Sequence, residues 1–258
     1  MTTRNSTATP TTSIAHAGKD RIVVRGMDLA ADLIGEKSFT ETLHLIVTGK
    51  LPDERQKLVL DACLVTLVEH SWTPSSLIAR LTIDSLPEDS QVAIAAGLLS
   101  LGNIFAGTSE ACARLLTAGV FSNEAPDIYC RELVASYRQT RKPLPGFGHP
   151  LHKPADPRTI KLIELADRVG VHGDYVDMLL TLSREVDAAA GKAIPLNATG
   201  ALAALLLEIG FPADAMRGLA VVSRAGGLIA HIREEKENHI AREIWSYVEE
   251  HVPYQEQT

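Results

Sequence analysis

Apolar residues return every three or four positions along most of this chain, the spacing of a buried helical face. Ser38-Phe39-Thr40-Glu41 opens such a segment, Leu43, Ile46 and Val47 continue it, and Gly49 closes it. From Asp53 onward Leu58, Leu60, Cys63, Leu64, Leu67 and Val68 share one broad face. Pro87-Glu88-Asp89 opens a third helix through Val92, Ile94, Leu98 and Leu101, stopped at Gly102. The same spacing predicts helices over roughly 107–117, 125–139, 157–168, 173–189, 199–208, 213–233 and 239–250. Period-two alternation is nearly absent, and Ile22-Val23-Val24 is the one short β-branched run. The pattern therefore predicts an all-α fold. Val92 to Leu101 and Ala198 to Leu207 carry almost no charge, so each is expected to be buried on most sides or to be shared between two subunits of a homodimer.

Composition narrows the classes. The 258 residues are 45% hydrophobic and 22% charged, an ordinary globular balance. The formal net charge of −7 leaves no basic footprint for nucleic acid, so an anion ligand would need locally concentrated cations. Cys63, Cys112 and Cys130 are odd in number and widely spaced, which reads as reduced, cytoplasmic thiols rather than disulfides or a metal site. No apolar run approaches a membrane span, and the Thr- and Ser-rich first 18 residues lack a signal-peptide core and read as a disordered tail. There is no GxSxG elbow, Walker loop or Rossmann glycine pattern. His231 and His239, eight apart, do not have metal-ligand spacing, and Arg233 to Arg242 reads as a solvated mixed-charge surface.

The chemistry concentrates in one stretch: Gly146-Phe147-Gly148-His149, then Lys153, then Asp156-Pro157-Arg158. Glycine lets backbone crowd a ligand, a histidine exchanges protons near neutral pH, and lysine and arginine suit phosphates and carboxylates. Five prolines punctuate the same stretch (Pro143, Pro145, Pro150, Pro154 and Pro157), so composition by itself also allows a plain solvated loop.

This stretch resembles the signature of the citrate synthase superfamily, a glycine-flanked histidine followed by a basic residue and Asp-Pro-Arg. The resemblance runs in order over about residues 20–250. It takes in Val24-Arg25-Gly26, Phe39, Gly49-Lys50-Leu51-Pro52, Glu69-His70 with Thr73, Pro74, Ser75, Ser76 and Arg80, the stretch Gly102 to Ala111, Lys192, Asn197, Gly210-Phe211-Pro212, and Val222-Ser223-Arg224-Ala225-Gly226-Gly227 with His231. It implies a citrate synthase-like helical domain over 19–258, with a reduced small-domain portion about 125–220. It also implies that His149 and His70 contact the substrate carbonyl, hydroxyl or carboxylate, that Arg158 and Arg224 hold carboxylates, and that Lys153 and Lys192 face coenzyme A.

Two positions depart from the family pattern. Phe105 stands where a synthase has its catalytic histidine, and Thr199 where it has its catalytic aspartate. Condensation needs a base for the acetyl-CoA methyl group and a donor for the enol oxygen, and neither side chain fills those roles. Phenylalanine near the first position and Gly200 after the second are similar to the citryl-CoA lyase module of ATP-citrate lyase. Short bacterial citryl-CoA lyases are more similar still, through Pro150, Lys153-Pro154 and Leu196 to Gly200. The resemblance implies a carbon–carbon lyase acting on citryl-CoA or a related 3-hydroxyacyl thioester, with no metal and with coenzyme A entering as thioester. His149 or His70 would handle the hydroxyl proton, and Thr199, Ser109 or a backbone N–H near Ala106-Gly107 would stabilise the enolate. A related acyl-CoA condensing enzyme or hydrolase, and a non-catalytic CoA- or tricarboxylate-binding regulator, are the alternatives.

Overall fold

The computed structural model describes residues 9–102 and 107–256. It divides into two compact units, Met1–Lys57 and Leu58–Thr258. In the first, β1 (Ala15–Ala17), β2 (Ile22–Val24) and β3 (Met27–Asp28) form an antiparallel sheet in chain order, with Ala15 opposite Val24 and Val23 opposite Asp28. A π-helical turn, Leu29–Leu33, leads to helix α1 (Phe39–Thr48). Ser38 caps α1 reciprocally: its hydroxyl accepts the Glu41 N–H at 3.2 Å while Glu41 accepts the Ser38 N–H at 2.9 Å. Gly49 ends the helix in the left-handed region, and Val24, Leu33 and Leu45 form the buried core of this unit. Ala15–Ala17 lies within the stretch read as a disordered tail, which is a correction: its three residues are ordered by backbone pairing, while their side chains stay exposed.

Helix α2 (Glu54–Val68) leads into the second unit. There follow α3 (Pro74–Ser85), α4 (Ser90–Leu99), α5 (Gly107–Val120), α6 (Pro126–Gln139), α7 (Pro157–Val169), α8 (Asp174–Ala190) and α9 (Ala198–Glu208). A 3-10 turn, Ala213–Ala215, precedes α10 (Met216–Glu237) and α11 (Ala241–His251). The fold is all-α apart from the small sheet. Helix α3 is absent from the periodicity reading because Thr73-Pro74-Ser75-Ser76 looks like a turn. Its start is instead built by Pro74 at the first helical position and by Ser76, whose hydroxyl accepts the Thr73 N–H at 3.0 Å.

Helix α9, uncharged until its last residue Glu208, lies at the centre, against α5, α7 and α8. Every residue from Ala198 to Leu206 except Thr199 is buried. Burying its three fully enclosed leucines, Leu202, Leu205 and Leu206, contributes roughly 1.5–3 kcal/mol each. Helix α4, the other uncharged segment, is buried on one side only: Ala93 and Gly97 are enclosed while Val92 and Leu99 are exposed. Helix α3 packs on α4 and α10 through Ala79, Ile83, Ala93, Leu228 and Ile232. All three cysteines are buried, which pushes the Cys63 thiol well above its usual range, Cys112 to about 12 and Cys130 to about 11.

The contact that fixes the site is between two glycines. A Cβ on Gly200, in the first turn of α9, would stand 3.1 Å from the Gly146 Cα and 2.9 Å from its carbonyl oxygen. Gly146 itself has φ +91°, and a Cβ there would meet the Cys112 sulfur at 2.9 Å. The histidine loop therefore lies directly on the start of α9. Gly200→Ala should lower stability by about 1–2 kcal/mol, because overpacking outweighs the helix-propensity gain of alanine. Gly218→Ala on α10, where an added methyl meets nothing within 4 Å, should leave stability unchanged or raise it by up to about 1 kcal/mol. Urea unfolding midpoints of the two variants check this; equal shifts would contradict it.

Candidate functional site

The loop from Gly146 to Gly148 runs antiparallel to Pro195–Asn197. The Gly148 N–H donates to the Pro195 carbonyl at 2.8 Å, and the Asn197 N–H donates to the Gly146 carbonyl at 3.0 Å. Asn197 caps α9 through its side-chain oxygen, which accepts the Gly200 N–H at 3.2 Å, and its amide donates to the Gly148 carbonyl at 3.0 Å. One asparagine thus starts a central helix and holds the residue before His149.

Behind the loop, Asp156 is fully enclosed at 0% side-chain exposure and caps α7. Its oxygens accept the Arg158 backbone N–H (3.0 Å), Arg158 Nε (3.0 Å), Arg158 Nη2 (2.8 Å) and the Ala198 N–H (3.2 Å). Burial raises its pKa, but the bonds and charge of Arg158 outweigh that and hold the carboxyl below its usual range. Arg158 is therefore clamped along its Nε–Nη2 edge, and the same Nη2 lies beside His149.

His149 accepts two backbone N–H bonds at Nδ1, from Leu151 at 3.2 Å and His152 at 3.0 Å. A neutral ring with Nδ1 so committed carries its hydrogen on Nε2. Arg158 Nη2 lies 3.4 Å from that Nε2. Both are then donors, and an acceptor oxygen bonded to the two would satisfy them. Two residues beyond α2, His70 brings its ring centroid to 5.9 Å from that of His149 and 6.5 Å from that of His152. The rings of His149 and His152 stack at 4.3 Å. From α10, Arg224 approaches the same group: its charge and that of Arg158 both act on His70, and its Nη1 is buried with no hydrogen-bond partner among the described residues.

The electrostatics select anions. Desolvation, then Arg158 and Arg224, lower the His70 pKa; desolvation, then His152 and Arg158, lower that of His149. Both rings are neutral at pH 7 and so act as polar groups between two fixed guanidinium charges. His70, His149 and His152 each offer a ring nitrogen within 4.8 Å of the others, a spacing compatible with a metal ion. The surroundings argue otherwise. His149 Nδ1 already takes two N–H bonds, its Nε2 faces a guanidinium, and a cation would meet the positive charge of Arg158 and Arg224. An unpartnered buried guanidinium N–H calls for a carboxylate.

Four of the residues expected from the sequence, His70, His149, Arg158 and Arg224, thus meet. Lys153 and Lys192 are exposed. Thr199 is half-buried beside the loop and donates its hydroxyl hydrogen to Asn197 Oδ1 at 2.7 Å, so it presents lone pairs rather than a proton to its surroundings. Phe105 and Ala106 lie outside the described residues. Ser109 is buried on α5. Sequence reading passed over His152 and the clamping role of Asp156. His152 was available as a second histidine in the loop, whereas the depth of Asp156 had no local signal.

Comparison with known proteins places the fold in a family. Residues 53–244 match the family model "Citrate synthase, C-terminal domain". A citrate synthase of Synechocystis sp. is 30% identical over 213 residues, 80% of this chain and 52% of that protein. The chain spans about half the length of the curated relatives it matches. The solved structure of a citryl-CoA lyase from Hydrogenobacter thermophilus is 31% identical, covers 96% of this chain and 95% of its own, and superposes with a TM-score of 0.87. ATP citrate lyase from Methanothrix soehngenii, solved with citrate and coenzyme A, shares the fold at a TM-score of 0.79 and 19% identity over 97% of this chain and 42% of its own. With its fold, the glycine-flanked histidine and the Asp-Pro-Arg clamp in place, the chain belongs to the citrate synthase family.

Proposed function

We propose that the protein is a carbon–carbon lyase that cleaves citryl-CoA, or a closely related 3-hydroxyacyl-CoA, to an acyl-CoA and a 2-oxo acid. The observation that carries this reading is the pair of donors, His149 Nε2 and Arg158 Nη2, near the neutral ring of His70, on which the charge of Arg224 also acts; Arg224 Nη1 is buried with no partner among the described residues. Such a group fits a substrate bearing both a tertiary hydroxyl and carboxylates. The near full-length similarity to a citryl-CoA lyase supports the same substrate class.

In this mechanism Arg224 and the free edge of Arg158 hold carboxylates. Neutral His70 takes the hydroxyl proton. His149 and Arg158 donate to the oxygen as it becomes an alkoxide and then a carbonyl. The bond between the hydroxyl carbon and the methylene next to the thioester breaks, and its electron pair passes into the thioester enolate. The proton on His70 is then available to the enolate carbon, which closes the balance as acetyl-CoA and oxaloacetate. With Thr199 in place of the family's aspartate, and its hydroxyl hydrogen directed at Asn197 Oδ1, no carboxylate stands there to exchange a proton with the methyl carbon of acetyl-CoA, and that role falls to His70. Lys153 and Lys192 are the side chains assigned to coenzyme A, and a second copy of the chain is the expected partner.

Incubation with citryl-CoA should yield acetyl-CoA without free CoA, read by chromatography of the thioesters, and oxaloacetate with acetyl-CoA should release little CoA. Free CoA as the main product would point to hydrolysis or condensation instead. Arg224→Gln should raise KM about 30-fold or more, because a substrate carboxylate loses its charged partner; an unchanged KM would remove Arg224 from the site.

Protonation of His70 abolishes the base, and its pKa is depressed below 6.5. kcat/KM should therefore hold from mildly alkaline pH down to about 6.5 and fall only below it. NMR titration of the imidazoles should place His70 and His149 below 6.5 and His172 above it, because Asp167 and then Asp177 bond the His172 ring. An activity loss setting in well above pH 6.5 would contradict the assignment.

A further inference from the structure

Behind the site lies a polar relay that the cleavage reading does not use. Arg80 on α3 is 1% exposed, under the ring of Trp72 at 5.0 Å. Its Nη1 bonds Glu235 at 3.0 Å, its Nη2 pairs with Glu234, and its Nε donates to His231 Nδ1 at 3.0 Å. A guanidinium does not give up its proton, so His231 Nδ1 can only accept there. The neutral ring then carries its hydrogen on Nε2, which donates to Glu69 Oε1 at 3.1 Å. The same oxygen accepts the backbone N–H of His70 at 2.8 Å.

Glu69 also acts on Arg224. Its negative charge opposes the desolvation that lowers the Arg224 pKa. Its own carboxyl is raised by burial, but the His231 bond and the His70 N–H outweigh that and keep it ionised. The approach depends on Gly227, where a Cβ would stand 2.1 Å from the Val68 carbonyl oxygen and 2.7 Å from Glu69 Oε2. Arg224, Gly227 and His231, spaced three and four residues apart, share one face of α10. That face presses on the end of α2, with Glu69 between the arginine and the histidine.

We infer that His231 is a positioning residue for carboxylate recognition: Arg80 fixes its tautomer, it holds Glu69, and Glu69 in turn holds the turn carrying His70 and orients Arg224. The inference deepens the lyase reading and rests on it for the identity of the substrate. It does not need turnover, because the relay is visible in the free protein.

The test compares wild type, His231→Phe, Glu69→Gln, the double variant and His231→Gln. Citrate affinity is measured by calorimetry, citryl-CoA cleavage by kinetics, the His70 backbone amide by NMR and folding by thermal melts. His231→Phe should weaken citrate binding and raise KM about tenfold, the range for loss of a hydrogen bond to a charged group, with kcat changed less than about threefold. The double variant should be no worse than the weaker single, because both act through one carboxylate. His231→Gln, whose side-chain amide can reach Glu69, should recover most of the loss while His231→Phe does not.

The His70 amide resonance should shift in His231→Phe at temperatures where the melt shows it folded. Additive losses, wild-type citrate affinity in His231→Phe, or an unmoved His70 amide would overturn the relay. Wild-type protein that neither binds citrate nor cleaves citryl-CoA would refute the lyase reading instead, and the His70 amide would still decide the relay.

Discussion

The site depends on one buried carboxylate. Asp156 takes four hydrogen bonds, three from Arg158 and one from the start of α9. A buried anion is tolerated only with such full satisfaction, and removing one partner of such a pair ordinarily costs about 3–5 kcal/mol. The clamp therefore does two jobs. It joins the N-terminal turns of α7 and α9, and it holds Arg158 by its Nε–Nη2 edge with Nη2 beside His149. Asn197 extends the same junction to Gly148, so His149 inherits its position from the start of a helix that is itself almost wholly buried.

Charge follows from this geometry. The chain is acidic as a whole, yet it assembles two guanidinium groups around three imidazoles. Burial first, and then the fixed charge of the arginines, hold His70 and His149 below the usual histidine range. His149, with Nδ1 spent on two backbone N–H groups, is cast as a donor. His70, which lacks that arrangement, is left for the proton-accepting role in the proposed cleavage. The division of labour between two like residues comes from backbone hydrogen bonding at one of them, not from residue type. Glu69 is the acidic counterpart on the other flank, tied through His231 to the enclosed Arg80.

Much of this was legible in the sequence, for physical reasons that differ by element. The helices with strong periodicity or clear caps were readable from local signals, as the Ser38 box and the almost uncharged α9 show. Helix α3 was hidden because its first turn is Pro-Ser-Ser, which local preference reads as a turn, and tertiary packing on α4 and α10 decides the matter. Strand β1 was hidden because Ala-His-Ala has little β propensity and is ordered by pairing alone. At the site, residue types and motif order pointed to His70, His149, Arg158 and Arg224. Sequence could not show that Asp156 would occupy one edge of Arg158, or that Thr199 would give its hydrogen to Asn197. It also did not show that His231, placed in the late motif and weighed as a metal ligand, would face Glu69 and Arg80. Those are facts of tautomer and contact between segments up to 162 positions apart.

The central claim is that His149 Nε2, Arg158 and Arg224 converge on one hydroxy-tricarboxylate. A crystal structure with citrate bound tests it most directly. The account predicts the citrate hydroxyl oxygen within hydrogen-bond reach of His149 Nε2, with carboxylates on Arg224 and on the free edge of Arg158. Citrate bound elsewhere, or bound with Arg224 Nη1 still unpartnered, would contradict it.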